Sequence, residues 1–415
     1  MPADLPRPIA APFDADVVVV GGGPAGASAA TTLARRGLDV VVVDKATFPR
    51  DKFCGDGLTV WALRQLEEMG LDPAEVASWR VVERAVVSSP SRHEIELALP
   101  GGGIFAAVAR RQDLDAAVLA LARRTGVTVL EGHAGIAAHQ DDDGITVVTD
   151  IGGPLRARFA IGADGMWSPL RKQLGAATPG YRGEWHAFRQ YFVNVTGRAT
   201  DELFAWFEPD FLPGYAWSFP VGPGGGANVG FGIIRGGGWR VSAMSQLWAE
   251  LIDRPHIRAA LGPEAEAESP PRAWPIPCRI GQLPLVAGRA LFVGDAAAAA
   301  DQLTGEGIGQ ALATGRWAAE AIASSPLHPQ GVREAYQHQV ARELVADHQI
   351  SVLLTRALRH RKGARTAIWV AGLTPWTRRN FARWLFEDYP RAMMFTPGRW
   401  ERTMFSRPGT YRSSP

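Results

Sequence analysis

Residues 15–46, "ADVVVVGGGPAGASAATTLARRGLDVVVVDKA", constrain the fold more tightly than any other stretch of the chain. Val17 to Val20 form an unbroken apolar run, which suits a parallel strand buried on both faces. Gly21, Gly23 and Gly26 then spell G-x-G-x-x-G, Ala27 to Leu33 are good helix formers, and Gly37 stops the helix. Val40 to Val43 give a second buried strand, closed by Asp44. In such a unit Gly21 serves the tight turn, Gly23 the close approach of a pyrophosphate, and Gly26 the packing of helix on strand. The helix start at Pro24 and Ala25 turns free N–H groups toward phosphate. Asp44, 18 residues past Gly26 and followed by Lys45, is placed to accept from a ribose 2′-OH. With 46 glycines in the chain the bare pattern is weak, so the flanking strands and the acid carry the expectation of a dinucleotide site.

Two further turns repeat the theme. "RARFAIGADGMWSPLRKQLG" runs a strand into Asp164, and "GRALFVGDAAAAADQLTGEGIGQAL" runs another into Gly294-Asp295 before a helix opened by Gly305, Gly307 and Ile308. A long cofactor needs several chain segments to hold it. Glycine–aspartate turns let backbone approach a ring while a carboxylate takes a hydroxyl. N–H groups at a helix start stabilise negative charge on a reduced ring. Thr304 and Glu306 in the same loop read equally well as capping residues.

The composition narrows the class. The 415 residues are 46% hydrophobic and 21% charged, with a formal net charge of +2, so nothing draws the chain to nucleic acid. The charge is uneven: residues 351–415 hold 13 Lys/Arg against 3 Asp/Glu. No apolar run is long enough to span a bilayer. The proline-rich start, "MPADLPRPIAAPFDAD", lacks the apolar core of a signal peptide, so a cytoplasmic protein is expected, with peripheral contact at the inner membrane face an open option. Two cysteines, Cys54 and Cys278, make no disulfide framework and no zinc site, and no metal is expected.

The order G-x-G-x-x-G, D-G, G-D resembles FAD-dependent oxidoreductases of the para-hydroxybenzoate hydroxylase fold. Within them, "FPRDKFCGDGL" and "GYAWSFPVG" resemble the geranylgeranyl reductase family, marked by P-x-x-K-x-C-G-x-G (Pro49, Lys52, Cys54, Gly55, Gly57) and Y-x-W-x-F-P (Tyr215, Trp217, Phe219, Pro220). The likeness spans roughly residues 14–330. It implies FAD as cofactor and places the Cys54 loop, including Asp56, beside the flavin, with Gly55 and Gly57 permitting the approach. Cys54 then tunes the flavin or passes a proton; a packing role is the alternative. Arg111 is the arginine expected to reach toward FAD, with Arg110 as its rival. Tyr215, Trp217 and Phe219 fall on one face of a strand and suit the wall of an apolar substrate chamber, or else an ordinary core. Relatives carry proline where Gln302 stands, so Gln302 is counted with the substrate residues.

The expected fold is α/β: an FAD-binding Rossmann-like domain (14–75, 105–175 and 285–330), an inserted antiparallel β substrate domain (76–104 and 176–284), and a helical C-terminal region (331–415). "GPGGGANVGFG" reads as a hairpin connection rather than a second nucleotide loop, so NAD(P)H or another donor would dock transiently. The tail sets Trp369, Trp376 and Trp384 beside Arg378, Arg379 and Arg383, which suits either a cap on the body or contact with anionic lipid. The resemblance implies a reductase of C=C bonds in a prenyl or similar apolar substrate, with Cys54 and Tyr215 as proton-donor candidates. An aromatic or polyketide monooxygenase, or a halogenase, shares the scaffold and is the rival; a flavin carrier without turnover is the third reading.

Overall fold

The computed structural model describes residues 13–236, 239 and 241–412; the first twelve residues of the segment read above for a signal peptide lie outside them. The valine runs become the strands Ala15–Val20 and Val40–Asp44, joined through the helix Pro24–Arg35. Pro24 opens that helix where its missing N–H costs nothing, and Gly37, at φ +81°, ends it. Five parallel strands make the centre of the first sheet, in the order Thr128–Glu131, Val40–Asp44, Ala15–Val20, Gly153–Gly162, Ala290–Phe292. The chain therefore leaves the sheet after its second strand, returns at Thr128, leaves again after Gly162 and returns at Val286. The antiparallel hairpin Gly135–Gln140 and Ile145–Thr149 widens the sheet at the start of Gly153–Gly162. Val17, Val18 and Val19 have no exposed surface, as both-face burial requires.

The second sheet collects strands from two distant stretches. Arg84–Ser88 pairs antiparallel with Glu94–Ala98 on one edge and in parallel with Leu203–Trp206 on the other. Tyr215–Val221 and Gly226–Ile234 form an antiparallel hairpin turned by Gly222 and Gly225, both at positive φ, where the glycine-rich run was read as a connection. Trp185–Val193 completes the broad face. One side of this sheet packs on the helices Met244–Ile252 and Pro255–Leu261 through Phe188, Phe231, Leu247 and Trp248. The other side packs on the tail: Ile95 and Leu97 meet Ile368, Ala371, Ala382 and Phe386.

The tail is helical over Pro329–Val340, Ala346–Leu358, Arg361–Gly372 and Pro375–Leu385. Its last long helix starts with a capping box between Thr374 and Thr377 and with Pro375 in the first turn. Gly372 lies so close to the sheet that a β-carbon there would stand 2.6 Å from Ile95. The tail is thus a cap packed on the body. No helix among the described residues is long and apolar enough to cross a membrane.

Candidate active site

The ends of the parallel strands, the Cys54 loop, the second sheet and the tail enclose one cavity of about 1000 Å³. Its glycine-rich end is built by Gly21, Gly23, Asp44, Lys45, Asp164 and Asp295. Gly21 adopts φ +109°, and a β-carbon there would lie 2.3 Å from the Ala163 carbonyl. Gly23 is different. A β-carbon there would meet only Arg50 Nη2 at 3.6 Å, so space remains in front of the helix start for a bulky group. Gly26 faces away from the cavity, where a β-carbon would sit 1.8 Å from the Gly21 carbonyl; its smallness serves helix–strand packing.

The acids at this end are used unequally. Asp44 accepts from the Gly22 amide at 2.7 Å with one oxygen and from the Ala46 amide at 2.8 Å with the other, which fixes the carboxylate at the strand end. Asp164 is spent on the helix it precedes, accepting from Ser168 Oγ at 2.6 Å and the Leu170 amide at 2.9 Å. Asp295 lines the cavity, and among the described residues its carboxylate accepts no hydrogen bond. An unspent carboxylate, an open helix start and backbone that must be glycine fit the pyrophosphate and polyol of FAD.

Beyond this end lies the Cys54 loop. Cys54, Gly55, Asp56 and Gly57 all line the cavity. What Gly55 and Gly57 make room for is protein: a β-carbon would meet the Phe219 ring at 3.3 Å from Gly55 and 3.1 Å from Gly57. The aromatic strand presses on the loop, and glycine is what lets it. Asp56 likewise departs from a cofactor role, because its carboxylate is fully buried and turned inward. It accepts from Tyr191 Oη at 2.6 Å and Asn228 Nδ2 at 2.8 Å, while the Asn228 amide also donates to the Cys54 carbonyl at 2.8 Å. Burial pushes the Asp56 carboxyl up to about 6 against the pull of these donors. Tyr191 and Asn228 escape sequence reasoning; the one available signal is an asparagine standing among strand residues in "GANVGFG".

Cys54 and Cys278 are both free thiols. Burial pushes the Cys54 thiol up to about 11, although the nearby Arg111 guanidinium pulls the other way, so at neutral pH it holds its proton. Arg111, which lines the cavity, grips Asp115 with Nε at 2.7 Å and Nη2 at 2.8 Å, and Arg50 shares the same carboxylate at 2.8 Å. The rival Arg110 points elsewhere, into a two-pronged pair with Glu268. Burial lowers the Lys52 ammonium, which lies 4.2 Å from the centre of the Trp274 ring.

Tyr215, Trp217 and Phe219 share one face and line the cavity, with ring centres 6.1 and 6.2 Å apart in succession. The Tyr215 hydroxyl, expected as a proton donor, gives its hydrogen to the Thr304 carbonyl and thereby ties the second sheet to the loop that precedes helix Ile308–Ser324. Trp217 donates to Asn228 Oδ1 at 3.1 Å. Pro220 and Gln302 are not part of the cavity wall. Asp301 accepts from the Thr304 amide and hydroxyl at 2.9 and 2.7 Å, a turn that carries Gln302 outward against Thr355 of the tail; Ala300 and Leu303 line the wall in its place. Gly305, Gly307 and Ile308 do line it, as do Gly294, Pro24 and Ala25.

The roof is the part that motif reading misses. Leu354, Leu358, Ile368, Phe381, Trp384 and Phe386 from the tail close the aromatic end of the cavity. The tryptophans of the tail therefore divide: Trp384 faces the cavity, whereas Trp369 and Trp376 are 56% and 66% exposed.

A parallel sheet with a glycine cradle at its strand ends, opening into an apolar chamber, defines an FAD-dependent oxidoreductase, and comparison with known proteins agrees. The FAD binding domain family matches residues 14–208. Menaquinone reductase of Mycobacterium tuberculosis is 36% identical over 339 residues, covering 75% of this chain and 78% of that protein. Digeranylgeranylglycerophospholipid reductase 1 of Methanopyrus kandleri is 32% identical, covering 74% and 79%. Among solved structures, a geranylgeranyl bacteriochlorophyll reductase-like protein from Thermoplasma acidophilum superposes with a TM-score of 0.76 at 22% identity, covering 92% of this chain and 98% of that one. A flavin-dependent brominase superposes with a TM-score of 0.74 at 20% identity, with the same coverage, and shares the fold. The chain belongs to the geranylgeranyl reductase family of FAD-dependent oxidoreductases.

Proposed function

We propose that this enzyme saturates C=C bonds in a prenyl chain or a similarly apolar lipid. The observation that carries the reading is the chamber: Tyr215, Trp217 and Phe219 on one side and Leu354, Leu358 and Trp384 on the other offer a long substrate contact rather than charge. The named reductase relatives support it. Bound FAD, once reduced by NAD(P)H or another donor, supplies a hydride. The chain's residues do the rest. Gly21, Gly23 and the start of helix Pro24–Arg35 would hold the pyrophosphate, Asp44 and Asp295 would take hydroxyls, and the positive N-terminal end of helix Ile308–Ser324 would stabilise the charge that the ring gains. The aromatic wall and tail roof orient the alkene and keep out water. An isolated alkene has no carbonyl to absorb charge, so a proton must arrive with the hydride. Cys54, a neutral thiol in the wall, is the donor on this reading, and Tyr215 positions the loop.

A lipid substrate also gives the outward aromatics a use. Leu353, Trp369, Leu373 and Trp376 stand exposed on the tail beside its basic residues and are suited to an anionic lipid surface. Flotation with phosphatidylglycerol vesicles should carry the intact protein upward and leave behind a Trp369→Ser/Trp376→Ser variant; equal partitioning would remove the membrane contact.

The deciding experiment is anaerobic incubation of the reduced holoenzyme with polyprenyl lipids and mass spectrometry of the products. A gain of two hydrogens is expected, with Cys54→Ala keeping FAD and losing most turnover. Products carrying oxygen or halogen, and strict dependence on O₂, would replace the reading with the monooxygenase or halogenase one.

A further inference from the structure

A second cavity, of about 830 Å³, lies beneath the C-terminal region, and one buried carboxylate stands between it and the chamber. Glu387 lines the outer cavity with a side chain only 8% exposed. Its Oε2 accepts from Thr59 Oγ1 at 2.9 Å, and its Oε1 accepts from Gln310 Nε2 at 2.9 Å. Thr59 lines the chamber, and so does Glu306, whose Oε1 accepts from the Gly309 amide at 2.9 Å. Asp301 joins the two sites: its amide donates to the Glu306 carbonyl at 2.7 Å, and its side chain lines the outer cavity, accepting from Ser351 Oγ at 2.5 Å.

The charges here do not balance. Arg391 lies 3.6 Å from Glu387 and 3.7 Å from Asp301. The neighbouring cations are engaged: Arg64 and Arg383 by Asp388, each at 2.5 Å, and Arg399 by Asp347 at 2.8 Å. Glu387 and Asp301 thus share one guanidinium, with Glu306 bound to the Asp301 amide beside them; leaving all three carboxyls ionised in this buried setting is costly, and a retained proton relieves the excess. Glu387 also holds φ +60°, a left-handed conformation that a non-glycine residue adopts only where its surroundings keep it there.

We propose that Glu387 and Glu306 form a proton relay connecting water in the outer cavity with the flavin chamber. A proton enters at Glu387 from hydronium, passes to Glu306 as Glu387 returns to carboxylate, and leaves Glu306 for the chamber wall at Cys54 or for substrate. Each carboxyl ends the cycle as it began, and one proton is delivered per hydride consumed. Burial is the main cause that pushes both carboxyls above the usual range, and the negative charges of Glu306 and Asp301 push Glu387 further. Both can therefore carry a proton near neutrality. The role in turnover rests on the reductase reading above; the relay itself is testable without substrate.

Reduced-minus-oxidised infrared difference spectra of the electrochemically poised holoenzyme should show a protonated-carboxyl C=O band that is sensitive to D₂O. Glu387→Gln should remove or shift that band, slow reoxidation of the flavin by substrate about tenfold, and move its pH profile, with FAD content unchanged; Glu387→Asp should recover most of the rate. Thr59→Val, which deletes the hydroxyl that donates to Glu387 at nearly constant shape, gives a second variant if Glu387→Gln does not fold, and should shift the same band. A carboxyl band unchanged by these substitutions, with a wild-type pH profile, would overturn the relay. A responsive band in an enzyme that reduces no alkene would keep the relay and discard the substrate assignment.

Discussion

The two ends of the large cavity are built by different means. At the glycine-rich end, a single stretch of 30 residues supplies Gly21, Gly23, the helix start and Asp44, and the constraint is backbone geometry. At the aromatic end, the wall comes from Tyr215–Val221, the loop beneath it from residues 51–57, and the roof from the tail, and the constraint is side chains meeting across the fold. The first kind of site tolerates almost no change at Gly21 and Gly26, and from distant stretches it needs chiefly the strand-end turns that bring the Ala163 carbonyl, Asp164 and Asp295. The second kind spreads its requirements thinly, so single changes there should alter what binds before they alter whether the protein folds.

The largest effect should follow from Gly21→Val. Its φ of +109° and the 2.3 Å contact with the Ala163 carbonyl leave no room for a side chain, so the variant should purify without FAD or fail to fold. Flavin absorbance per protein measures this directly. A yellow, stable Gly21→Val protein would break the claim that backbone geometry governs this end.

Asp56 gives the next effect, as a pH dependence. Its carboxyl is raised from 3.8 to about 6, so between those values the native state keeps a proton that the unfolded chain has released. Stability from this group therefore falls as pH rises from about 4 to about 6, by about 3 kcal/mol, and is level above. Asp56→Asn should flatten that part of the curve, read as the difference between wild-type and variant urea unfolding at each pH. An unchanged slope would mean that Asp56 titrates alike in both states.

In the roof, Leu354→Trp should fill part of the chamber, lowering kcat/KM for long prenyl substrates about tenfold while short ones and FAD content are spared. Equal loss for all chain lengths would place the effect in the fold rather than in the roof.

These contrasts also explain what was legible in the sequence. The valine runs, Gly21 to Gly26 and Asp44 are read locally, since strand burial and turn sterics act over a few residues. The face shared by Tyr215, Trp217 and Phe219 is readable because a strand has period two. Asn228 and Tyr191 are not readable, because their task is to hold Asp56 and Cys54, more than 130 residues away in the chain. The tail was legible as amphipathic helices, but periodicity says which face is apolar and not what covers it. Hence Trp384 turns inward and Trp376 outward from the same helix. Gln302 misled for a related reason: the Asp301–Thr304 contacts that rotate its turn depend on side-chain hydrogen bonds within the loop.

The smallest effects should come where the two kinds of site touch. Gly55 and Gly57 belong to the loop, yet what limits them is the Phe219 ring, at 3.3 and 3.1 Å from an added β-carbon. A ring edge on a side chain can yield by a few tenths of an ångström, which a carbonyl in the sheet cannot. Gly55→Ala should therefore cost about 1 kcal/mol and Gly57→Ala somewhat more, whereas Gly26→Ala, facing the Gly21 carbonyl at 1.8 Å, should behave like Gly21→Val. Phe219→Leu in the same chain should relieve Gly57→Ala and leave Gly26→Ala unrelieved, with Tm and flavin content as the readouts. If Phe219→Leu rescued neither, the aromatic wall would not be what fixes the loop, and its glycines would answer to the cofactor after all.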